Sequence, residues 1–343
     1  MTKTAEINAR LLEDLPVLRL PKVVPPGGGL SIWWMGDDRI TFQATSADTN
    51  GAYAFWVDEP PGHVGPPKHV HSREQEGFYV IDGQVQFRAG RVASVLTKDS
   101  FIALPKGIPH SWINTSIGQA KLITFAAGAG NEGFFRTLGA PALGPVGPRA
   151  TLPVDEINAR TRRFGVTYME TTNNPMDGAL EIGAGRTPTV VQPAQGERLH
   201  AGGGVYSVKA CGSVTAQAYT LIEVYLEPRG SMPSHRHAAF EEGIYVLDGS
   251  IQATLEGETF EATAGSFVII PWGLPHQIRN AEESAARLLL LSVPGGVEDY
   301  YRAACRPSPD DHWQDNLETD LARLRAVGPV LGFLNNTEAK TQT

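Results

Sequence analysis

The sequence predicts an all-β protein made of two tandem copies of one domain. Three observations carry this. First, the 343-residue chain repeats itself. The shift that takes His69 to His235 also takes His71 to His237, Glu76 to Glu242, Gly83 to Gly249, His110 to His276 and Asn114 to Asn280. It holds without drift as far as Glu132/Glu298 and Arg136/Arg302. So long a period means a duplicated domain, not a solenoid unit. Second, each copy is a series of short apolar runs parted by turn residues, as in a sandwich or barrel. Third, 37 glycines and 25 prolines favour turns over long helices.

The elements follow in chain order. The opening "MTKTAEINARLLEDLP" lacks the apolar core of a signal peptide, and no run is long enough to span a bilayer. A cytoplasmic protein without membrane contact is expected. Trp33 and Trp34 are adjacent, so on a strand they face opposite sides and at most one reaches an interior. His69 and His71 share one face of a strand. After a short bend, Glu76, Phe78 and Val80 share a face of the next. Asp82-Gly83 and Asp248-Gly249 break apolar runs in the manner of hairpins. "SFIALPKGIPHSWIN" and "SFVIIPWGLPHQIRN" each give a buried strand, a Pro/Gly turn and a strand that starts near a histidine. "AKLITFAA" and "ARLLLLSV" close the two copies with buried strands.

A helical segment follows each copy. In "PVDEINARTRRFG", Pro153 and Asp155 are start signals and Gly165 is a stop. Near the other end, Trp313, Leu317, Leu321 and Leu324 recur at helical spacing as a docking face. The stretch 138–150 is a Gly/Pro-rich connector, and 171–200 is irregular. The domain boundary is therefore expected near residue 170, giving domains 1–170 and 171–343. The polar tail beyond Leu334 is expected to fray.

Charge and composition exclude several classes. A formal net charge of -8 with no Lys/Arg run argues against a phosphate-neutralising grip on nucleic acid. The two cysteines, Cys211 and Cys305, are expected as idle thiols in a reducing compartment.

Six of the nine histidines fall into the repeat. In each copy, two imidazoles on one strand face, a third from a distant strand and a carboxylate make a donor set suited to a divalent transition metal. Such a set also leaves positions open for water or substrate. The candidate ligands are His69, His71, Glu76 and His110 in the first copy, and His235, His237, Glu242 and His276 in the second. The repeat selects the glutamates. Glu74, Gln75 and Glu76 match Phe240, Glu241 and Glu242, and only the last position is Glu in both. Glu74 is therefore expected to be a solvated surface charge. His63, His200 and His312 lack such partners and are expected on the surface or in loops.

These residues resemble those of the bicupins. The pattern HxHxxxxExxxxxxG runs from His69 to Gly83 and again from His235 to Gly249. The second cupin pattern, GxxxxxPxGxxHxxxN, is complete from Gly265 to Asn280. In the first copy Asp99 stands in its glycine slot, while Pro105, Gly107, His110 and Asn114 fit. The resemblance implies two cupin (jelly-roll) β-barrel domains in tandem.

Four residues separate His71 from Glu76, where oxalate oxidases and decarboxylases typically have three. That gap, "EGFYV" and the length are similar to the quercetin 2,3-dioxygenase type. The resemblance then implies one divalent metal per domain, iron before manganese, nickel, cobalt, copper or zinc. It implies that Glu76 and Glu242 are both ligand and general base, taking a proton from an enol hydroxyl. The substrate would be a flavonol or similar aromatic, opened by O2 with loss of carbon monoxide. Phe78, Trp112, Ile244 and Ile278 point the same way as the ligands and are candidates for lining the substrate pockets.

A non-oxidative lyase, isomerase or cyclase acting on a polyketide-like or sugar-acid substrate is the alternative on the same scaffold. Two complete ligand sets argue against a storage protein, and the lack of a DNA-binding segment argues against a sensor. A monomer or a homodimer is expected.

Overall fold

The computed structural model describes residues 20–34, 37–128, 130–144, 152–169, 186–307, 317–328 and 333–335. Its contacts gather into two compact units. One spans Gly28 to Gln195; the other runs from Gly196 onward and includes the segment that ends at Gly27.

Each unit is a jelly roll of two antiparallel sheets, one of eight strands and one of five, and is not a single closed barrel. In the first unit the large sheet runs Ala140–Pro141, Leu30–Trp34, Asp38–Ala44, Tyr53–Glu59, Lys121–Ala127, Gln75–Asp82, Phe101–Leu104 and Thr189–Val191. The small sheet runs Val166–Tyr168, His69–His71, His110–Asn114, Gln84–Ala89 and Val92–Thr97. The second unit repeats this order from Arg306–Pro307 to Lys22–Val24 and from Phe333–Asn335 to Glu258–Thr263. Apolar residues alternate inward along these strands and form the cores. Phe42, Trp56 and Phe135 pack in the first unit, and Tyr206, Val224 and Leu290 in the second.

Two expectations are corrected here. Asp82-Gly83 and Asp248-Gly249 do not form hairpins. Strand Gln75–Asp82 pairs with Lys121–Ala127 and Phe101–Leu104, whereas Gln84–Ala89 pairs in the other sheet. The turn carries the chain from one sheet to the other. Gly83 at φ 87° and Gly249 at φ 75° supply the left-handed backbone that this corner needs. The same need explains Asp99 in a glycine slot. Asp99 sits at φ 67° where Gly265 sits at φ 91°, and Asp tolerates that region better than most residues.

The second correction concerns the boundary. The residues around the expected division at 170 lie outside those described, and the pairing carries the division past them. Thr189–Val191 adds to the first unit's sheet beside Phe101–Leu104. Lys22–Val24 adds to the second unit's sheet beside Phe267–Ile270. Each large sheet is thus finished by the short strand that precedes the other repeat.

The helix Val154–Thr161 follows Pro153 and continues as a 3₁₀ turn to Phe164, ending at Gly165 with φ 81°. In the second unit, helix Leu317–Val327 is present and Leu324 is 2% exposed; Trp313 lies outside the described residues. Three further helices, Asn131–Leu138, the single turn Gly212–Thr215 and Glu298–Ala304, are not signalled by the sequence patterns above. Among the described residues no helix is long and apolar enough to cross a membrane. Cys211 and Cys305 are free thiols.

Candidate metal centres

In the first unit the small sheet brings three histidines together. His69 and His110 are paired across neighbouring strands, and their rings lie 4.3 Å apart between centroids. His71 lies two residues on, on the same face, 5.1 Å from His69 and 5.6 Å from His110. The large sheet supplies Glu76. Its Oε2 is 3.1 Å from His110 Nε2 and 3.5 Å from His71 Nε2. One donor atom from each of the four residues falls within 4.8 Å of the others, and all four residues are buried.

Backbone carbonyls orient the rings. His69 Nδ1 donates to the Pro67 carbonyl at 2.8 Å, and His110 Nδ1 donates to the Ile108 carbonyl at 3.0 Å. That fixes the tautomer and turns each Nε2 inward as a lone-pair donor. His110 Nε2 is buried and makes no hydrogen bond. Such an atom fits a bound cation better than an empty interior.

The second unit repeats the arrangement. His235, His237 and His276 converge within 4.8 Å. Glu242 Oε2 lies 3.2 Å from His237 Nε2 and 3.3 Å from His276 Nε2. The carbonyls of Pro233 and Leu274 accept from His235 and His276 at 2.7 and 2.9 Å. The first cluster could hold a divalent transition metal on three imidazoles and one carboxylate; in the second the three imidazoles converge, and Glu242 stands beside His237 and His276 without joining that convergent group.

The third histidine distinguishes the clusters. Glu74 is 1% exposed, not a solvated surface charge, and its Oε2 lies 3.6 Å from His71 Nδ1. In the second unit Phe240 takes that place, with its ring 6.1 Å from His237. The electrostatics follow. Burial lowers the His71 pKa, but Glu76 and Glu74 outweigh it and the net shift is upward. Burial and His276 together outweigh Glu242 at His237, which shifts downward. Burial pushes Glu76 up, yet the imidazoles of His71 and His110 hold it at about 2. Glu242 is held low in the same way.

The two interiors differ more. A cavity opens beside the first cluster, with His69, His71 and Glu76 on one side and Phe78, Trp112, Trp34, Trp56 and Phe135 among its walls. It is small, about 30 Å³, or room for roughly two waters. An aromatic ligand must therefore displace part of the wall. Trp34 faces this cavity, whereas Trp33 faces away and donates from Nε1 to the Gly144 carbonyl. Asp38 and Asp58, which neither the repeat nor the motifs single out, also line it. Burial, opposed by hydrogen bonds from Thr124 and Trp56, pushes Asp58 up to about 7. Burial and the neighbouring Asp58 raise Asp38.

Beside the second cluster, Ile244 and Ile278 are packed in the hydrophobic core with Ile222, Val224 and Leu290. His63 is exposed and His200 is half-buried on strand Glu197–Ala201; His312 lies outside the described residues.

Comparison with known proteins agrees with this geometry. The cupin domain family matches residues 55–126 and 222–293. The chain is 21% identical over 305 residues to quercetin 2,3-dioxygenase of Bacillus subtilis, covering 86% of this chain and 88% of that one. A shorter likeness, 33% over 69 residues, links it to polyketide synthase CurC of Streptomyces cyaneus and covers 20% of this chain and 45% of that one. Among solved structures, oxalate decarboxylase from Bacillus subtilis at pH 4.6 superposes with a TM-score of 0.57 at 15% identity, over 82% of this chain and 78% of that one. With a cupin match in each half, a jelly roll in each unit and a histidine cluster beside a buried glutamate in both, the chain carries two cupin domains in tandem.

Proposed function

We propose that this bicupin is a metal-dependent dioxygenase that opens an enolisable aromatic substrate of the flavonol kind with O2, and that the first cluster does the chemistry. The observation that carries this is the buried His69/His71/Glu76/His110 set opening onto an aromatic-walled cavity. The likeness to a quercetin 2,3-dioxygenase along most of both chains supports the choice of reaction. Iron on the four ligands, or another divalent transition metal, would supply Lewis acidity that lowers the cost of an enolate.

The chain's own residues do the rest. Glu76 is ionised and faces the cavity, so it can accept but not donate a proton; held low by its imidazole neighbours it is a weak base, and the enol hydroxyl would have to be acidified by a bound metal before Glu76 takes its proton. The carbonyls of Pro67 and Ile108 hold His69 and His110 in one tautomer, so the cluster's geometry is set before substrate arrives. Trp34, Trp56, Phe78 and Trp112 exclude water and offer flat faces to an aromatic ring. Beside the second cluster the positions matching Trp56, Phe78 and Thr124 are the aliphatic Ile222, Ile244 and Leu290, packed in the core, which offer no aromatic faces to a substrate.

O2 uptake with a flavonol, measured together with carbon monoxide release, tests the reaction. Both are expected, and both should fall at least about a hundredfold in Glu76→Gln. Substrate conversion without O2 uptake would instead establish a non-oxidative lyase or cyclase. The local likeness to a polyketide synthase component favours that second reading.

A further inference from the structure

We propose that Asp38 and Asp58 recognise a hydroxyl group on the part of the substrate remote from the histidine cluster. The first unit's cavity would then select a polyhydroxylated aromatic over its unsubstituted parent. The inference rests on reading that cavity as the substrate site.

Asp38 and Asp58 are 2% and 3% exposed. They lie on neighbouring strands of the large sheet. Ile40 pairs with Asp58, and Asp38 is two residues from Ile40, so both acids share the cavity face. Asp58 is already engaged. Trp56 Nε1 donates to its Oδ1 at 3.2 Å, and the Thr124 hydroxyl donates to its Oδ2. Asp38 is not fully engaged: its buried Oδ1 has no hydrogen-bond partner. Among the described residues, no cationic side chain is a partner of either acid.

Two buried carboxyls without a cation are costly to fold, so something must retain them. The repeat shows that the architecture does not. Under the same shift, Gly204, Val224 and Leu290 stand where Asp38, Asp58 and Thr124 stand. The second unit thus builds the same jelly roll and the same histidine cluster on an apolar face. The acids therefore belong to what enters the first cavity. One open acceptor oxygen suits a single O–H donor, whereas an ammonium group carries three N–H donors that all need acceptors.

Equilibrium binding to the metal-loaded full chain under anaerobic conditions tests this, because it reads recognition without turnover. The probes are quercetin and 3-hydroxyflavone, which share the enol but differ in the remote hydroxyls. The wild type should prefer quercetin by at least about tenfold. Asp38→Ala and Asp58→Val, the latter carrying the residue the second unit already packs, should bring the preference to within about twofold. Affinity for 3-hydroxyflavone should stay unchanged. If the wild type binds both probes equally, or if the preference survives in both variants, the inference is wrong while the proposed function stands. If the wild type binds neither probe, the proposed function fails and takes the inference with it.

Discussion

Four of the six clustered histidines have their outer nitrogen fixed by a backbone carbonyl; His71 and His237 are the two placed differently. Glu74 lies behind His71 at 3.6 Å, beyond hydrogen-bond distance, and a carboxylate behind a ligating imidazole raises its basicity. Glu74→Gln should lower metal affinity at the first cluster by about 10–100-fold, as competition with a chelator would show, and leave the second unchanged. Phe240→Glu would test the converse by strengthening the second cluster. Asp58 yields a pH prediction. Its folded pKa, about 7, lies above the ordinary value of 3.8, so folding takes up a proton between those values. Its contribution therefore costs stability as pH rises from about 4 to about 7. Asp38, Glu59 and Glu76 are the acids that face it. Asp58→Asn should flatten that slope, with a gain on the order of a few kcal/mol at pH 7, read by denaturant melts at several pH values and equal metal load. Neither Glu74 nor the aspartates stand out in the sequence. Matching the repeats isolates what both halves share, which gives the eight cluster residues, and discards what differs. The differences at Asp38, Asp58 and Glu74 are what distinguish one site from the other.

Among the elements, local patterning was legible and partnership was not. The strands after the Pro/Gly turns begin at His110 and His276, as the turn chemistry indicates. The Asp-Gly turns misled, because a tight turn reports a change of direction but not which sheet the next strand joins. Strands of three residues, such as Lys22–Val24 and Thr189–Val191, are too short for periodicity to reveal, yet they decide where each unit ends. Each covers an edge of its sheet that would otherwise expose unpaired backbone groups. A fragment cut at the division first expected, residues 1–170, lacks Thr189–Val191 and leaves Phe101–Leu104 as a bare apolar edge. Residues 28–195 retain it. The longer fragment should unfold cooperatively in urea, and the shorter should aggregate or melt at least about 5 °C lower. Equal behaviour of the two fragments would show that the edge strand is dispensable.

At the scale of the whole molecule, duplication has produced two clusters with the same donors and different surroundings. One faces a cavity with aromatic walls and buried acids; the other is backed by aliphatic packing. The donors alone set how many ions the chain can hold, and the surroundings set where a substrate can reach one. These two properties should therefore separate on mutation. The purified chain should bind two divalent ions. His110→Ala and His276→Ala should each reduce this by about one, since each removes an imidazole donor from a single cluster. Their effects on turnover should differ widely. His110→Ala should lose activity by at least about a hundredfold, because it disables the cluster that has a cavity, while His276→Ala should keep activity within about threefold and lose some thermal stability. Metal analysis paired with O2 uptake on the same samples reads both properties at once. Comparable loss of turnover in the two variants would place chemistry at both clusters. Loss confined to His276→Ala would move the active site to the second unit, despite its aliphatic surroundings.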